Sequence, residues 1–444
     1  MIWRNLGPAR INIFLREGYR SLLLLLVIAF AALFLAGAAF LDGRASSLKT
    51  RSEGSWMQTL DPNDPRLEFR LGRVLEQTDP SEAITHFRRA TELSPTNRRY
   101  RYHLAFACET AGDTQCADGS WELLAKLCPM VPLYSWHAGQ SYLRNHQLDD
   151  SLSQFRHLLE LDPKYGPQVW FTLRGVLDAD AIFEKTIAHG DSESQVQYVD
   201  FLSSQGDYDA AYRIWKSLAP KLHDVRFSTA KPFLEQLIAE QRMQEAWSVW
   251  QDLQKLGMVK PSEGNQRNLV FNGDFEQTPL NAGFDWRWPD VLTFLAVNFE
   301  SPDGYHGRQC LRVDFTVNRN EEFEPAYQIV PVLPGHNYQL EAYVRSEDIS
   351  SDTGPYLRVS DPQRLSFPDA LSETTIETTA WHTVRVTFST GANTQTVRIS
   401  LWRPRGRTFP MGISGSFWLD SVSLHDLGPG LERSALSPPA DTSH

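Results

Sequence analysis

Cysteine is scarce in this 444-residue chain: there are four, too few for a disulfide framework, and their spacing matches no zinc pattern. Cys108, Cys116 and Cys128 fall close together. A Cys108–Cys116 bridge in an oxidising compartment and three small buried hydrophobes both fit that spacing. Basic excess is also missing. A net charge of -11 excludes the cationic footprint that nucleic-acid binding needs, so no nucleic-acid partner is expected. Catalytic signatures are missing as well: there is no Walker loop, no dinucleotide fingerprint, no HExxH, no CxxC and no GxSxG elbow. The chain is nonetheless globular in composition, 41% hydrophobic and 22% charged, and long enough for two or three folded units.

What stands out first is one long apolar run. Leu22 to Leu41 reads LLLLLVIAFAALFLAGAAFL, 20 residues without a charge. At about 1.5 Å per helical residue it matches a hydrocarbon core of roughly 30 Å. Arg4, Arg10, Arg16 and Arg20 precede it against the single acid Glu17. That bias places a short N-terminus (1–21) in the cytoplasm and the bulk outside. Ala36-Gly37-Ala38 offers a signal-cleavage site, but a signal core is typically about 7–15 residues. The expectation is an uncleaved transmembrane helix at 22–41, followed by a linker at 42–61.

Next comes a period of 34 residues: Pro95, Pro129 and Pro163; Phe87, Trp121 and Phe155; Ala83, Ala117 and Ser151; Ala90, Leu124 and Leu158. Each unit carries two apolar helical patterns, the second stopped by the proline. One helix pair cannot bury its apolar face alone, so such units stack. The segments DPSEAITHFRRATELSP, GDTQCADGSWELLAKLCP and QLDDSLSQFRHLLELDP, with a later match at GDYDAA and Trp215 and a weaker one at Ala246 and Trp250, resemble the tetratricopeptide repeat family over residues 62–257. Residues 168–192 fit poorly, and a degenerate helix pair is expected there. The resemblance implies an all-α solenoid with a protein-binding groove. Its positions fall here on Phe69, Tyr102 and Trp136, with Arg66, Arg73, Phe106, Gln140 and Arg144 beside them. The bland alternative for these aromatics is packing against the neighbouring repeat.

After Gly257 the pattern changes. A polar linker (258–267) leads into segments that alternate with period two, such as QLEAYVR, HTVRVTF and TVRISLW, the signature of half-buried strands. An antiparallel sandwich of about eight to ten strands is expected over 268–426. The segments NLVFNGDFE, GRQCLRV, PGHNY through Arg345-Ser346, and FWLDSVSL resemble the carbohydrate-binding modules of families four and nine, galactose-binding-like jelly rolls. That resemblance implies a structural calcium, with Glu276 and Asp420 at the matching positions. It also implies sugar binding by exposed rings, for which Phe284, Trp286, Trp288, Tyr327 and Trp402 are the candidates. Arg403, Arg405 and Arg407 beside Trp402 point to an anionic polysaccharide. A disordered tail is expected at 427–444.

The chain therefore reads as a multidomain, single-pass protein of a bacterial inner membrane with its bulk in the periplasm. It carries an all-α tetratricopeptide-repeat solenoid and an all-β jelly-roll sandwich. A non-enzymatic scaffold is expected, with a protein partner in the groove and a glycan on the sandwich, in assembly or export of surface polysaccharide. Two alternatives stay open: a remote glycosidase, since paired acids need only meet in space, and an assembly factor whose sandwich binds protein.

Overall fold

The computed structural model describes residues 25–37, 39, 61–261, 268–289, 295–362, 369–409 and 411–429. The expected cytoplasmic segment (1–21), nearly all of the following linker (42–60) and residues 262–267 and 430–444 lie outside the described residues. Of the apolar run, residues 25–37 are helical, with Leu25, Phe30, Leu33 and Phe34 all largely exposed. No helix among the described residues is long and apolar enough to cross a membrane, and both ends of the expected 22–41 span fall outside them.

By contacts the chain divides into two compact units, Met1–Thr172 and Leu173–His444. The division falls inside the helical array, not at the polar linker expected at 258–267. The first unit contains α1 (Pro65–Leu75), α2 (Pro80–Leu93), α3 (Arg98–Ala111), α4 (Thr114–Leu127), α5 (Pro132–Arg144) and α6 (Leu148–Leu161). The 34-residue columns become its core: Phe87, Trp121, Phe155, Ala90, Leu124 and Leu158 are fully buried. The small residues of the first helices make room for those rings. A Cβ on Gly72 would lie 2.6 Å from the Phe87 ring, and one on Gly139 2.5 Å from the Phe155 ring. Local chemistry sets the helix ends. Asp79 and Asp113 cap α2 and α4 by accepting N–H bonds from Glu82 and Cys116. Ser94, Cys128 and Asp162 turn extended just before their prolines. A disulfide joins Cys108 of α3 to Cys116 of α4, with Cα atoms 5.8 Å apart.

The second unit begins as α7 (Gly166–Leu173) ends. The degenerate pair expected at 168–192 is a four-residue helix, α8 (Ala179–Ile182), running into a π-turn at Phe183–Ile187. Regular pairs then resume with α9 (Ser192–Ser204), α10 (Tyr208–Leu218), α11 (Phe227–Ala239) and α12 (Met243–Lys255). The sandwich follows as two antiparallel sheets. The five-stranded sheet runs in the order β1 (Leu295–Ser301), β2 (Cys310–Arg319), β9 (Ile413–Pro429), β4 (His336–Ile349), β7 (Glu377–Ser389). The four-stranded sheet runs β3 (Phe323–Pro331), β8 (Thr396–Arg403), β5 (Tyr356–Ser360), β6 (Ala370–Leu371). β9 continues through residues 427–429, the start of the expected tail. Alternation sends Val313, Leu340, Val344, Val359, Ile399, Leu401 and Leu419 into the shared core with Trp286.

The last helices are bonded to the start of this region. Arg287 forms a bidentate pair with Glu235 of α11, both distances 2.8 Å. The N–H of Gly283 donates to the same carboxylate at 2.7 Å. Gly283 has φ +60°, and a Cβ there would meet the Trp250 ring of α12 at 2.4 Å, so only glycine fits. Trp250 also packs edge-on against Phe271 and Phe284.

Candidate functional site

The outward side of the four-stranded sheet collects the chemistry. Ile399 and Leu401 of β8 point inward, so Arg398, Ser400 and Trp402 point out. On β5, Leu357 and Val359 are core, which leaves Tyr356, Arg358 and Ser360 outward. Register aligns these sets: Tyr356 opposes Trp402, Arg358 opposes Ser400, and Ser360 opposes Arg398. On the other side of β8, Tyr327 of β3 opposes Ser400. Arg398 lies 3.7 Å over the Tyr327 ring and Arg358 lies 4.9 Å over Trp402. Carboxylates complete the pattern. Glu324 pairs with Arg398 at 3.3 Å and Asp369 with Arg358 at 2.7 Å. Glu322 accepts the Trp402 indole N–H at 2.8 Å.

Of these groups, Glu322, Glu324, Arg358, Ser360, Asp369, Arg398 and Trp402 line a cleft of about 510 Å³, and Tyr327, Tyr356 and Ser400 are their neighbours on the sheet. Its described walls hold four acids, Glu322, Glu324, Asp361 and Asp369, against the two arginines. Arg358 Nε, Arg398 Nε and Ser400 Oγ are closed off from solvent without a hydrogen-bond partner among the described residues, and native interiors keep few such groups.

The structure separates the five ring candidates. Trp402 lines the cleft, while Tyr327 is half-buried on the neighbouring strand with the Arg398 guanidinium over its ring. Trp288 is half-buried and tilted against Phe299 of the core. Trp286 is fully buried, its indole donating to the Asn272 carbonyl at 3.0 Å. Phe284 is buried against Trp247 and Trp250. The readings of Phe284 and Trp286 as sugar platforms are corrected: an enclosed ring has no face to offer. In the basic loop Arg405 and Arg407 are exposed, and the reading is corrected for Arg403 alone. Arg403 is fully buried and donates to the carbonyls of Thr353, Glu321 and Met411, so it braces loops. Tyr356, Arg358 and Arg398 were missed in the sequence. Their signal was the period-two alternation within YLRVS and TVRISLW, which needs the inward face assigned before it can be used.

Glu276 and Asp420 converge on one loop. Asp420 Oδ2 accepts the N–H groups of Tyr305 and His306 at 2.6 and 2.9 Å. Glu276 Oε1 accepts those of Arg308 and Gln309 at 2.5 and 2.8 Å. Burial pushes the Asp420 carboxyl up, against the pull of its N–H donors. Neither acid forms a Lys or Arg ion pair among the described residues, which suits a cation. The N–H groups now facing them do not, because calcium takes oxygen ligands.

In the first unit the groove candidates divide in the same way. Phe69 is buried, stacked on Tyr100 at 4.8 Å, and is core, which corrects its assignment to the groove. Tyr102 and Trp136 are half-buried, against Trp121 and Phe155 respectively. Gln140 is half-buried and Phe106 is exposed. Arg66, Arg73 and Arg144 are exposed and paired with Asp64, Glu76 and Asp118.

Comparison with known proteins bears on the sandwich. A family profile described as a carbohydrate binding domain matches residues 267–407. The match ends before β9, which lies at the centre of the five-stranded sheet. No curated protein matches the chain. Among solved structures, a crystal structure of MamA is 14% identical, covering 43% of this chain and 88% of that one, with a TM-score of 0.26. A family 16 carbohydrate binding module is 20% identical, covering 35% and 99%, with a TM-score of 0.24. A xylan-binding domain from Paenibacillus barcinonensis is 13% identical, covering 36% and 94%, with a TM-score of 0.27. Likenesses at these identities and TM-scores carry no functional argument.

Proposed function

We propose that this chain, whose residues 267–407 carry a carbohydrate-binding domain, is a binding scaffold that grips a polysaccharide in the cleft over its four-stranded sheet. The observation that carries the reading is Trp402 in the wall of the cleft beside Arg358 and Arg398, with Tyr356 opposite it in register and Tyr327 on the next strand. Rings stack on the apolar faces of pyranoses, and fixed polar groups orient the hydroxyls. Four carboxylates against two arginines favour a neutral glycan over an anionic one.

The repeat array would capture a protein partner through Phe106, Tyr102 and Trp136. The exposed apolar helix at 25–37 and the Cys108–Cys116 disulfide favour an anchored chain with its bulk outside the cytoplasm, where surface polysaccharide is assembled or exported. Calcium is not part of this reading, because four backbone N–H groups of the loop already occupy Glu276 and Asp420. The test is migration of the detergent-solubilised full chain in gels containing neutral polysaccharides. Retardation that Trp402→Ala weakens supports the cleft; unchanged retardation in that variant defeats it. A C-terminal reporter that proves cytosolic removes the envelope setting.

A further inference from the structure

On the opposite side of the sandwich, the five-stranded sheet carries a second set of rings. Leu340, Ala342 and Val344 of β4 are core, so Glu341, Tyr343 and Arg345 face outward. Val384, Val386 and Phe388 of β7 are core, which puts Trp381, Thr383 and Arg385 on the outer side. Thr383 stands directly opposite Tyr343. The loop between β1 and β2 then lays Tyr305 flat on Tyr343, with centroids 4.0 Å apart and planes 15° apart. Trp381 tilts against Tyr305 at 5.7 Å, and His306 meets Tyr343 edge-on at 5.5 Å.

Tyr305 remains 40% exposed although one of its faces is covered. Its position is fixed from below by the Asp420 bonds to its own N–H and that of His306. Gly307 turns the loop at φ +76°, where a Cβ would strike Glu276 Oε1 at 2.3 Å. A ring held by backbone bonds on both sides loses little freedom when something stacks on it, so the order of the site is already in place before binding. Hydrogen-bonding side chains rim it: His306, Thr383, and Glu341 with its partner Arg385 at 2.6 Å.

We infer that Tyr305, backed by Tyr343 and Trp381, is a second saccharide platform, taking a neutral pyranose whose apolar ring face stacks on the tyrosine. The inference rests on the reading of the sandwich as a sugar binder, but not on the cleft. Two sites on opposite sheets would let one chain engage two glycan strands.

The experiment uses the full chain in detergent, titrated with xylohexaose, cellohexaose and galactotriose by calorimetry, and run in gels containing xylan, β-glucan or galactan. Four forms are compared: wild type, Tyr305→Ala, the cleft variant Tyr327→Ala/Trp402→Ala, and the combination. The expected result is two sugars bound per chain. Tyr305→Ala should weaken retardation by roughly 3- to 10-fold, about the loss of one stacked ring. Only the combination should abolish it, and Tyr305→Phe, which keeps the ring, should restore it at unchanged melting temperature. One sugar per chain, or retardation indifferent to Tyr305→Ala, overturns the platform and leaves the cleft standing. No binding by wild type across the panel overturns both. Quenching of tryptophan fluorescence by sugar in the cleft variant, lost on Trp381→Phe, gives a second reading should Tyr305→Ala prove unstable.

Discussion

The two outer faces of the sandwich share a core and solve different problems. On the four-stranded side, rings alternate with arginine–carboxylate pairs, and buried donors are left without acceptors. On the five-stranded side, ring lies on ring, and the loop carrying the outermost one is satisfied by two carboxylates. Under the proposed function the first face would select among sugars through its charged side chains, and the second would accept any flat pyranose. The difference lies in chemistry and not in burial, since neither Trp402 nor Tyr305 is buried.

The sharpest way to break the comparison is through the floor the two faces share. Trp286→Ala should cost about 3–5 kcal/mol and abolish both binding modes, read as a lost unfolding transition of the sandwich. Persistence of one mode would show that the faces fold separately. Next in size, Trp402→Ala should lower cleft affinity about tenfold while leaving quenching of Trp381 by sugar unchanged. Smaller still, chelation and added calcium should leave the melting temperature unchanged, because N–H groups fill both carboxylates of the Tyr305 loop. A rise of a few degrees with calcium would show that the loop turns to admit the ion. A test of stability alone, apart from binding, concerns Asp285, whose carboxyl burial pushes up to about 6. Above the unfolded pKa the denatured chain ionises first, so this group's contribution to stability falls as pH rises from about 4 to 6. Melting curves should show that loss flattened in Asp285→Asn, with both faces unaffected.

Much of this was legible in the sequence. The columns at Phe87, Trp121 and Phe155 fixed the repeat because identical stacking demands identical residues at a fixed interval. Alternation in TVRISLW gave a strand, but not which side of it met the core, so Trp402 had no face until β3 and β5 were placed beside it. Phe69, Phe284 and Trp286 were misread for one reason: a large ring looks the same in sequence whether it is enclosed or bare. Arg403 misled for the opposite reason, since a charge is expected at the surface and this one is spent on three carbonyls. The Tyr305 platform was invisible because its loop is fastened to Asp420, 115 positions away.

The bidentate pair between Arg287 and Glu235, with Gly283 fitted under Trp250, has a mechanical consequence. A module on a slack leash would let a captured polymer drift without disturbing anything else. Here the sandwich is bolted to the helices that precede it, so a pull on any ligand it held would reach α11 and α12 as torque. Those two helices would act as its shoulder joint.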